Sequence, residues 1–315
     1  MATTSDALIV GEDFISEHYF TTDAKSQSFQ AKVLDRRKQW DAAKADGHPP
    51  TRTRYAEERG RLGRVFNGLS ENADSETLDG LYATLRHILG FDNAVRWESE
   101  RIGGSETEPG PAILMRSRDL GGAAPFVMIE ARGGLDIEDL LAKNEKTLLR
   151  DFHTDIDTIS SVAGLLSHLF VSDESPKFAL VLAGGTALIT ERERWLEGRY
   201  LAVDLQLVGE RADDKRGGEI DRALTMLDAD SLAPDAEGDI WWTSVVDESV
   251  KHTVGVSKEL REGVRLSIEI LANDVVARRR EQGLPPLPDS QAQLLAGQSL
   301  RFLYRILFLL YAEAT

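Results

Sequence analysis

Phe178-Ala-Leu-Val-Leu-Ala-Gly-Gly-Thr-Ala-Leu-Ile-Thr190 holds two apolar runs that meet at Gly184-Gly185. Short apolar runs on either side of a glycine pair predict a β-hairpin, because glycine enters the left-handed turn region without a steric penalty. A further strand over 200–208 follows it, and three strand-like runs over 94–102, 112–119 and 125–132 precede it. The last two of these are joined through Leu120-Gly121-Gly122-Ala123-Ala124. Between the two groups the spacing predicts a helix over 155–170. Ahead of them, Asp74 and Ser75 are caps for a helix carrying Leu78, Leu81, Tyr82, Leu85, Ile88 and Leu89, with Gly90 as its stop. Mixed strands with helices on their faces make an α/β unit over 71–238.

The flanks read as helical. In 1–70, an N-terminal helical arm, Phe29, Val33, Leu34 and Trp40 recur at helical spacing over 24–45, until Gly47, Pro49 and Pro50 stop the pattern. A second helix holds Tyr55, Leu62, Val65, Phe66 and Leu69, although Gly60 and Gly63 each cost it about 1 kcal/mol relative to Ala. Residues 239–315 read as a helical connector, with Leu260, Val264, Ile268, Leu271 and Val275 at intervals of three and four before the punctuation Gly283-Leu-Pro-Pro-Leu-Pro288. Its last segment, Leu300-Arg-Phe-Leu-Tyr-Arg-Ile-Leu-Phe-Leu-Leu-Tyr311, is apolar on every face except at Arg301 and Arg305, so its helix needs burial all round. That burial can come from this chain, from a twin subunit or from a domain that follows.

Composition narrows the chemistry. The 315 residues are 42% hydrophobic and include no cysteine, which excludes disulfides, thiolate metal sites and cysteine nucleophiles. No secretory leader is visible and no apolar run reaches the roughly 18 residues of a membrane span, so a cytoplasmic chain without a membrane partner is expected. The net charge of −16, from 53 acidic against 37 basic residues, predicts poor intrinsic affinity for DNA. Basic residues are nevertheless clustered, as Arg36-Arg37-Lys38 and as Arg52, Arg54, Arg59, Arg61 and Arg64. The second cluster is either a DNA-binding face or a solvated helix face paired with Glu57 and Glu58.

Other constellations carry less. Asp151, His153, Asp155 and Asp157 supply metal-ligand chemistry, but their place before and at the start of the predicted helix suits capping better. His18 and His252 have no second ligand at helical spacing and are read as structural or interfacial. Neither a Gly-x-Ser-x-Gly elbow nor a glycine-rich nucleotide loop occurs.

Several strings resemble the N-terminal half of type IIG restriction-modification enzymes and of the adenine methyltransferases of BREX and DISARM phage-defence systems. The most distinctive is Leu300-Arg-Phe-Leu-Tyr-Arg-Ile-Leu-Phe-Leu-Leu-Tyr-Ala-Glu-Ala314, similar to the helix that leads into the methyltransferase domain of that group. It is accompanied by the hairpin string 178–189, Arg194-Trp195, Arg199-Tyr-Leu-Ala-Val-Asp-Leu205 and Ser249-Val-Lys-His-Thr-Val-Gly-Val-Ser-Lys-Glu-Leu260.

The resemblance implies a nuclease-like core of the PD-(D/E)xK type, with an acid on one strand and Glu-x-Lys on the next. The matching strand, Phe126-Val-Met-Ile-Glu-Ala-Arg132, sets Glu130 and Arg132 on one face, with Arg in the place of Lys. Arginine holds a phosphate but does not shuttle protons. Pairing across a turn near residue 122 sets Glu130 opposite Leu114, with Glu106, Glu108 and Asp119 to either side. The candidate catalytic set is thus Glu130, Arg132 and Glu108 in degenerate form, served by Mg2+ if active. The plain reading of Glu130 is an edge carboxylate paired with Arg132 or Arg116.

The group's methylation chemistry needs a glycine-rich loop for S-adenosylmethionine and an Asn-Pro-Pro-aromatic motif, and this sequence has neither. That cofactor is expected of a full-length protein and none of this chain. The expected function is a DNA-engaging, partner-docking module for a downstream methyltransferase domain or other defence-system subunits. The alternatives are a magnesium-dependent DNA nuclease domain and a structural oligomerisation module.

Overall fold

The computed structural model describes residues 6–22, 28–69, 73–172, 175–235 and 237–314, with the backbone alone at 254–259 and 314. Strand β1 (Leu8–Gly11) is followed by helices α1 (Glu17–Thr21), α2 (Phe29–Ala45), α3 (Thr51–Gly68) and α4 (Ser75–Leu89). Strands β2 (Trp97–Ile102), β3 (Ala112–Ser117) and β4 (Phe126–Glu130) form an antiparallel meander. The crossover that follows contains α5 (Ile137–Leu140), a hairpin of β5 (Phe152–His153) and β6 (Thr158–Ile159), and α6 (Val162–Val171). It returns to β7 (Phe178–Ala183), which runs parallel to β4. Then come β8 (Thr186–Glu191), α7 (Arg192–Trp195), β9 (Tyr200–Asp204), α8 (Leu205–Arg211), α9 (Glu219–Leu227), α10 (Ala229–Leu232), α11 (Trp241–Glu281) and α12 (Ala292–Ala314). The main sheet has seven strands in the order β1-β9-β8-β7-β4-β3-β2, a mixed α/β architecture.

Side-chain alternation divides the sheet between two cores. Phe126, Met128, Phe178, Leu180, Leu182 and Ile189 join the core shared with α2, α3 and α4. Val127, Ile129, Ala179, Val181 and Leu188 face the other way, onto Leu140 of α5 and Leu165 and Leu166 of α6. Strand β7 is buried on both faces, which is why its sequence is a continuous apolar run. Tyr82 of α4 locks the two parallel strands together at their ends: its hydroxyl donates to Ala131 O at 2.5 Å and accepts from Gly184 N at 2.8 Å. Gly184 has φ +61°, and a Cβ there would lie 2.8 Å from Gly133 Cα, so the turn admits no side chain. The Asp74 cap and the Gly90 stop of α4 stand as read, with Gly90 at φ +86°.

Other boundaries differ from the reading. The helix expected from residue 155 begins at Val162 with Ser161 as its cap, and Asp155 and Asp157 lie in the β5–β6 turn. There Thr154 Oγ1 accepts from Asp157 N and Asp157 Oδ1 from Thr158 N, side-chain bonds that compete with a helix. The strand expected to reach residue 208 stops at Asp204, whose carboxylate caps α8 through Leu207 N at 2.8 Å. Residue 24, the expected start of the first helix, lies outside the described residues.

The boundaries at 70 and 238 are not domain boundaries either. Strand β1 pairs with β9, and Phe29, Val33, Trp40, Tyr55, Leu62 and Phe66 enter the same core as the sheet. So does Trp242 of α11, fully buried and donating from Nε1 to Met226 O at 2.9 Å. The chain divides instead into Met1–Val250 and Lys251–Thr315. Within the second unit α12 carries Phe302, Tyr304, Phe308, Leu309, Leu310 and Tyr311 as exposed side chains. The segment Asp289–Glu313 is long and apolar enough to cross a membrane by length and composition, contrary to the expectation that no segment is.

One buried carboxylate makes the first unit sensitive to pH. Asp228, which caps α10 through Ser231 N, is fully buried, and that burial pushes its carboxyl up to about 7 against the opposing pull of Arg36. An unfolded chain releases this proton near pH 4. Between about pH 4 and pH 7 the fold therefore holds a proton that the unfolded chain has lost, and stability falls as pH rises through that window. We expect Asp228→Asn, which keeps the cap acceptor, to raise stability above neutral pH by up to about 4 kcal/mol and to lose the advantage towards pH 4. Urea titrations at several pH values check this, and a constant difference between the two proteins would refute it.

Candidate functional site

Glu130 closes β4 at the end where β4 and β7 run parallel, on the face that carries Phe126 and Met128. The register differs from the expected one by three residues: Leu114 faces Val127, and Glu130 N donates to Pro111 O at 2.9 Å. The cause lies in the connection, where Gly121 N bonds Ser117 O at 3.1 Å and centres the turn before residue 121. Strand β4 is interior to the sheet, so Glu130 is not an edge carboxylate.

Its carboxylate has no solvent exposure and is surrounded by arginines. Arg86 Nη1 of α4 donates to Oε1 at 2.5 Å, and Arg101 of β2 donates to Oε2 at 2.6 Å and Oε1 at 3.1 Å. Arg150 Nη1 lies 3.8 Å from Oε2 while its Nη2 donates to Asp79 of α4. That bond, assisted by the charges of Glu130 and Glu108, holds the Arg150 guanidinium above its usual range although burial opposes it. Three cations thus face two carboxylates, leaving a surplus of one positive charge. Arg86 and Arg101 keep 22% and 30% of their side chains exposed, so some of their donors face water.

The other members of the expected set stand apart. Arg132 is exposed, donating from Nε to Leu148 O at 3.2 Å, and Arg116 pairs with Glu100 at 2.6 Å. Glu108 sits in an exposed loop closed by Ser105 N on Glu108 O at 2.9 Å and touches the site only through its field at Arg150. Among the described residues no group of three His, Asp or Glu side chains is placed to hold a metal ion, and Asp151, His153, Asp155 and Asp157 do not converge.

The arginines of α3 are mostly committed inward. Arg52 bonds Asp214 at 2.5 Å and the fully buried Asp221 at 3.0 Å, and Arg59 bonds Asp214 at 3.3 Å. Arg54 donates to Ile88 O at 2.9 Å, a free carbonyl of the last turn of α4, and burial lowers its guanidinium pKa. Arg61 and Arg64 are exposed, Arg61 lying 3.7 Å from Glu58. Neither reading of this segment foresaw the acids of 213–221 as the partners.

Arg86, Arg101, Arg150 and Asp79 were missed, although part of the signal was visible. Asp79 and Arg86 stand three residues before and four after the buried Tyr82, which places all three on one face of α4. Removing the carboxylate strands three cations, and breaking a buried pair costs about 3–5 kcal/mol. We expect Glu130→Leu to lose that amount and Glu130→Gln less, read from urea unfolding midpoints; a loss below about 1 kcal/mol for the Leu variant would contradict the network.

No family model, no curated protein and no solved structure matches the chain.

Proposed function

We propose that the chain is a non-catalytic DNA-engaging and partner-docking module of a bacterial restriction or phage-defence DNA adenine methyltransferase, with a nuclease-like core that lacks nuclease chemistry. The observation that carries this reading is the arginine ring around Glu130. A metal-dependent nuclease presents carboxylate oxygens to a cation. Here the carboxylate oxygens are taken by guanidinium groups, and the surplus charge and outward donors suit a backbone phosphate. Arg132, exposed two residues beyond Glu130 but not part of the ring, is a further cation at this end of β4, and the DNA face is proposed here rather than along Arg52–Arg64.

The docking half of the reading rests on α12. Nine exposed large apolar side chains among the described residues of that helix, each partly exposed and worth about 1.5–3 kcal/mol on full burial, leave on the order of 10 kcal/mol unrealised. The partner proposed for them is the apolar face of a methyltransferase domain. S-adenosylmethionine belongs to that domain, whose presence the reading frame of the gene beyond residue 315 would reveal.

A short fluorescein-labelled duplex should bind weakly in low salt, with a log–log salt slope of only about −2 to −3, as a few phosphate contacts dictate. Arg132→Glu should weaken binding and lower that slope by about 1, whereas Arg61→Glu with Arg64→Glu should have the smaller effect. The opposite order, read by anisotropy, would return the DNA face to α3. Supercoiled plasmid should stay intact in Mg2+ or Mn2+; cutting that Glu130→Ala abolishes would make the chain a nuclease.

A further inference from the structure

Where α3 passes α8 there is a cleft of about 380 Å³ whose wall includes Tyr55, Leu62, Phe66, Gln206 and Glu210. Its volume lies at the lower end of the roughly 300–1,000 Å³ of small-molecule sites. Glycines keep it open. A Cβ on Gly60 would meet only the Arg64 side chain, at 3.9 Å, and one on Gly63 would meet nothing within 4 Å. Each glycine costs α3 about 1 kcal/mol of helix propensity, and neither is required by packing.

Tyr55 adds an independent observation. The residue is 4% exposed and forms part of the cleft wall, and its hydroxyl lies 3.6 Å from the place where a Cβ on Gly209 would stand. No described residue hydrogen-bonds that hydroxyl, and its oxygen is not one of the buried side-chain atoms without a partner, so it is open to the solvent of the cleft and to a ligand there. Burial pushes its pKa up, so it remains a neutral donor and acceptor.

The remaining wall specifies the ligand. Leu62, Phe66 and the bare helix surface at Gly60 and Gly63 make an apolar slot suited to a flat ring. Arg59 is engaged by Asp214 at 3.3 Å and by Gly209 O at 3.4 Å, which leaves little for a phosphate. Glu210, on the exposed rim, accepts from Gln206 Nε2 at 3.0 Å through Oε1 and keeps Oε2 for a second donor. We propose that this cleft binds a neutral, amine-bearing aromatic heterocycle of nucleoside size, with the Tyr55 hydroxyl on a ring nitrogen and the Glu210 carboxylate on the exocyclic amine. The site shares no residue with the Glu130 ring or with α12, so it stands or falls apart from the DNA-engaging reading.

Calorimetry on the intact chain with two matched pairs, adenosine against inosine and cytidine against uridine, tests the assignment. Within each pair an amine is exchanged for a carbonyl. Adenosine or cytidine should bind saturably, and its carbonyl partner about tenfold more weakly. Tyr55→Phe should weaken binding by about tenfold, the equivalent of one lost hydrogen bond. Gly63→Leu, whose side chain has open space to enter, should abolish binding while raising the melting temperature. No saturable heat from any of the four nucleosides at millimolar concentration would overturn the proposal. Undiminished binding by Gly63→Leu, or equal affinity within both pairs, would do the same.

Discussion

A carboxylate without solvent needs donors brought to its oxygens, and Glu130 gathers three guanidinium groups from three parts of the chain. Arg86 comes from α4, Arg101 from β2 and Arg150 from the crossover between β4 and β7. The position of each element is thereby tied to one point at the end of β4. Tyr82 acts beside it with a different chemistry, fixing α4 to Ala131 and to the β7–β8 turn. Shifting α4 by one turn would break both networks together. The packing of α4 on the sheet is thus specified by polar geometry as well as by its apolar stripe.

The same network decides what the site can do. The acid at the end of β4 is present and its oxygens are occupied by guanidinium groups. Recruiting a metal would mean displacing Arg101, which is held independently by Gly110 O at 2.7 Å, and Arg150, which is held by Asp79. Two of the three arginines thus have a second anchor, and Arg86 is held by Glu130. The phosphate contact proposed for this site, by contrast, would use the outward donors and leave these bonds in place.

Legibility followed the range of the interactions. The β7–β8 hairpin and α4 were readable because their signals are local: a glycine pair between apolar runs, an apolar stripe with a cap and a stop. The crossover was misread because Thr154 and Asp157 satisfy the local backbone as a turn, which helical spacing does not reveal. The register of β3 on β4 hinged on one hydrogen bond, Gly121 N to Ser117 O, that moved Glu130 away from Leu114. The site was least legible of all. Arg52 finds its partners at Asp214 and Asp221, more than 160 residues away, and no spacing rule reaches that far. An arginine-rich helix in an acidic chain therefore says little about DNA until its carboxylate partners are known, and of the five arginines of α3 only Arg61 and Arg64 are exposed.

Helix α12 poses a choice between lipid and protein as its environment, and its two arginines bear on it. Arg301 and Arg305 lie near the middle of Asp289–Glu313, one helical turn apart on the same face. At the centre of a bilayer each arginine opposes insertion by about 2.5–3.5 kcal/mol on translocon scales, which offsets much of what the surrounding leucines and phenylalanines contribute. A protein groove removes the conflict, since a guanidinium can lie at the rim or meet a carboxylate while Phe302, Phe308 and Leu309 are covered. The arginine pair also gives such a groove an orientation, with an acidic wall opposite Arg301 and Arg305 and apolar walls elsewhere. Charge thus weighs on the side of the protein partner proposed for a helix whose length and hydropathy alone fit either.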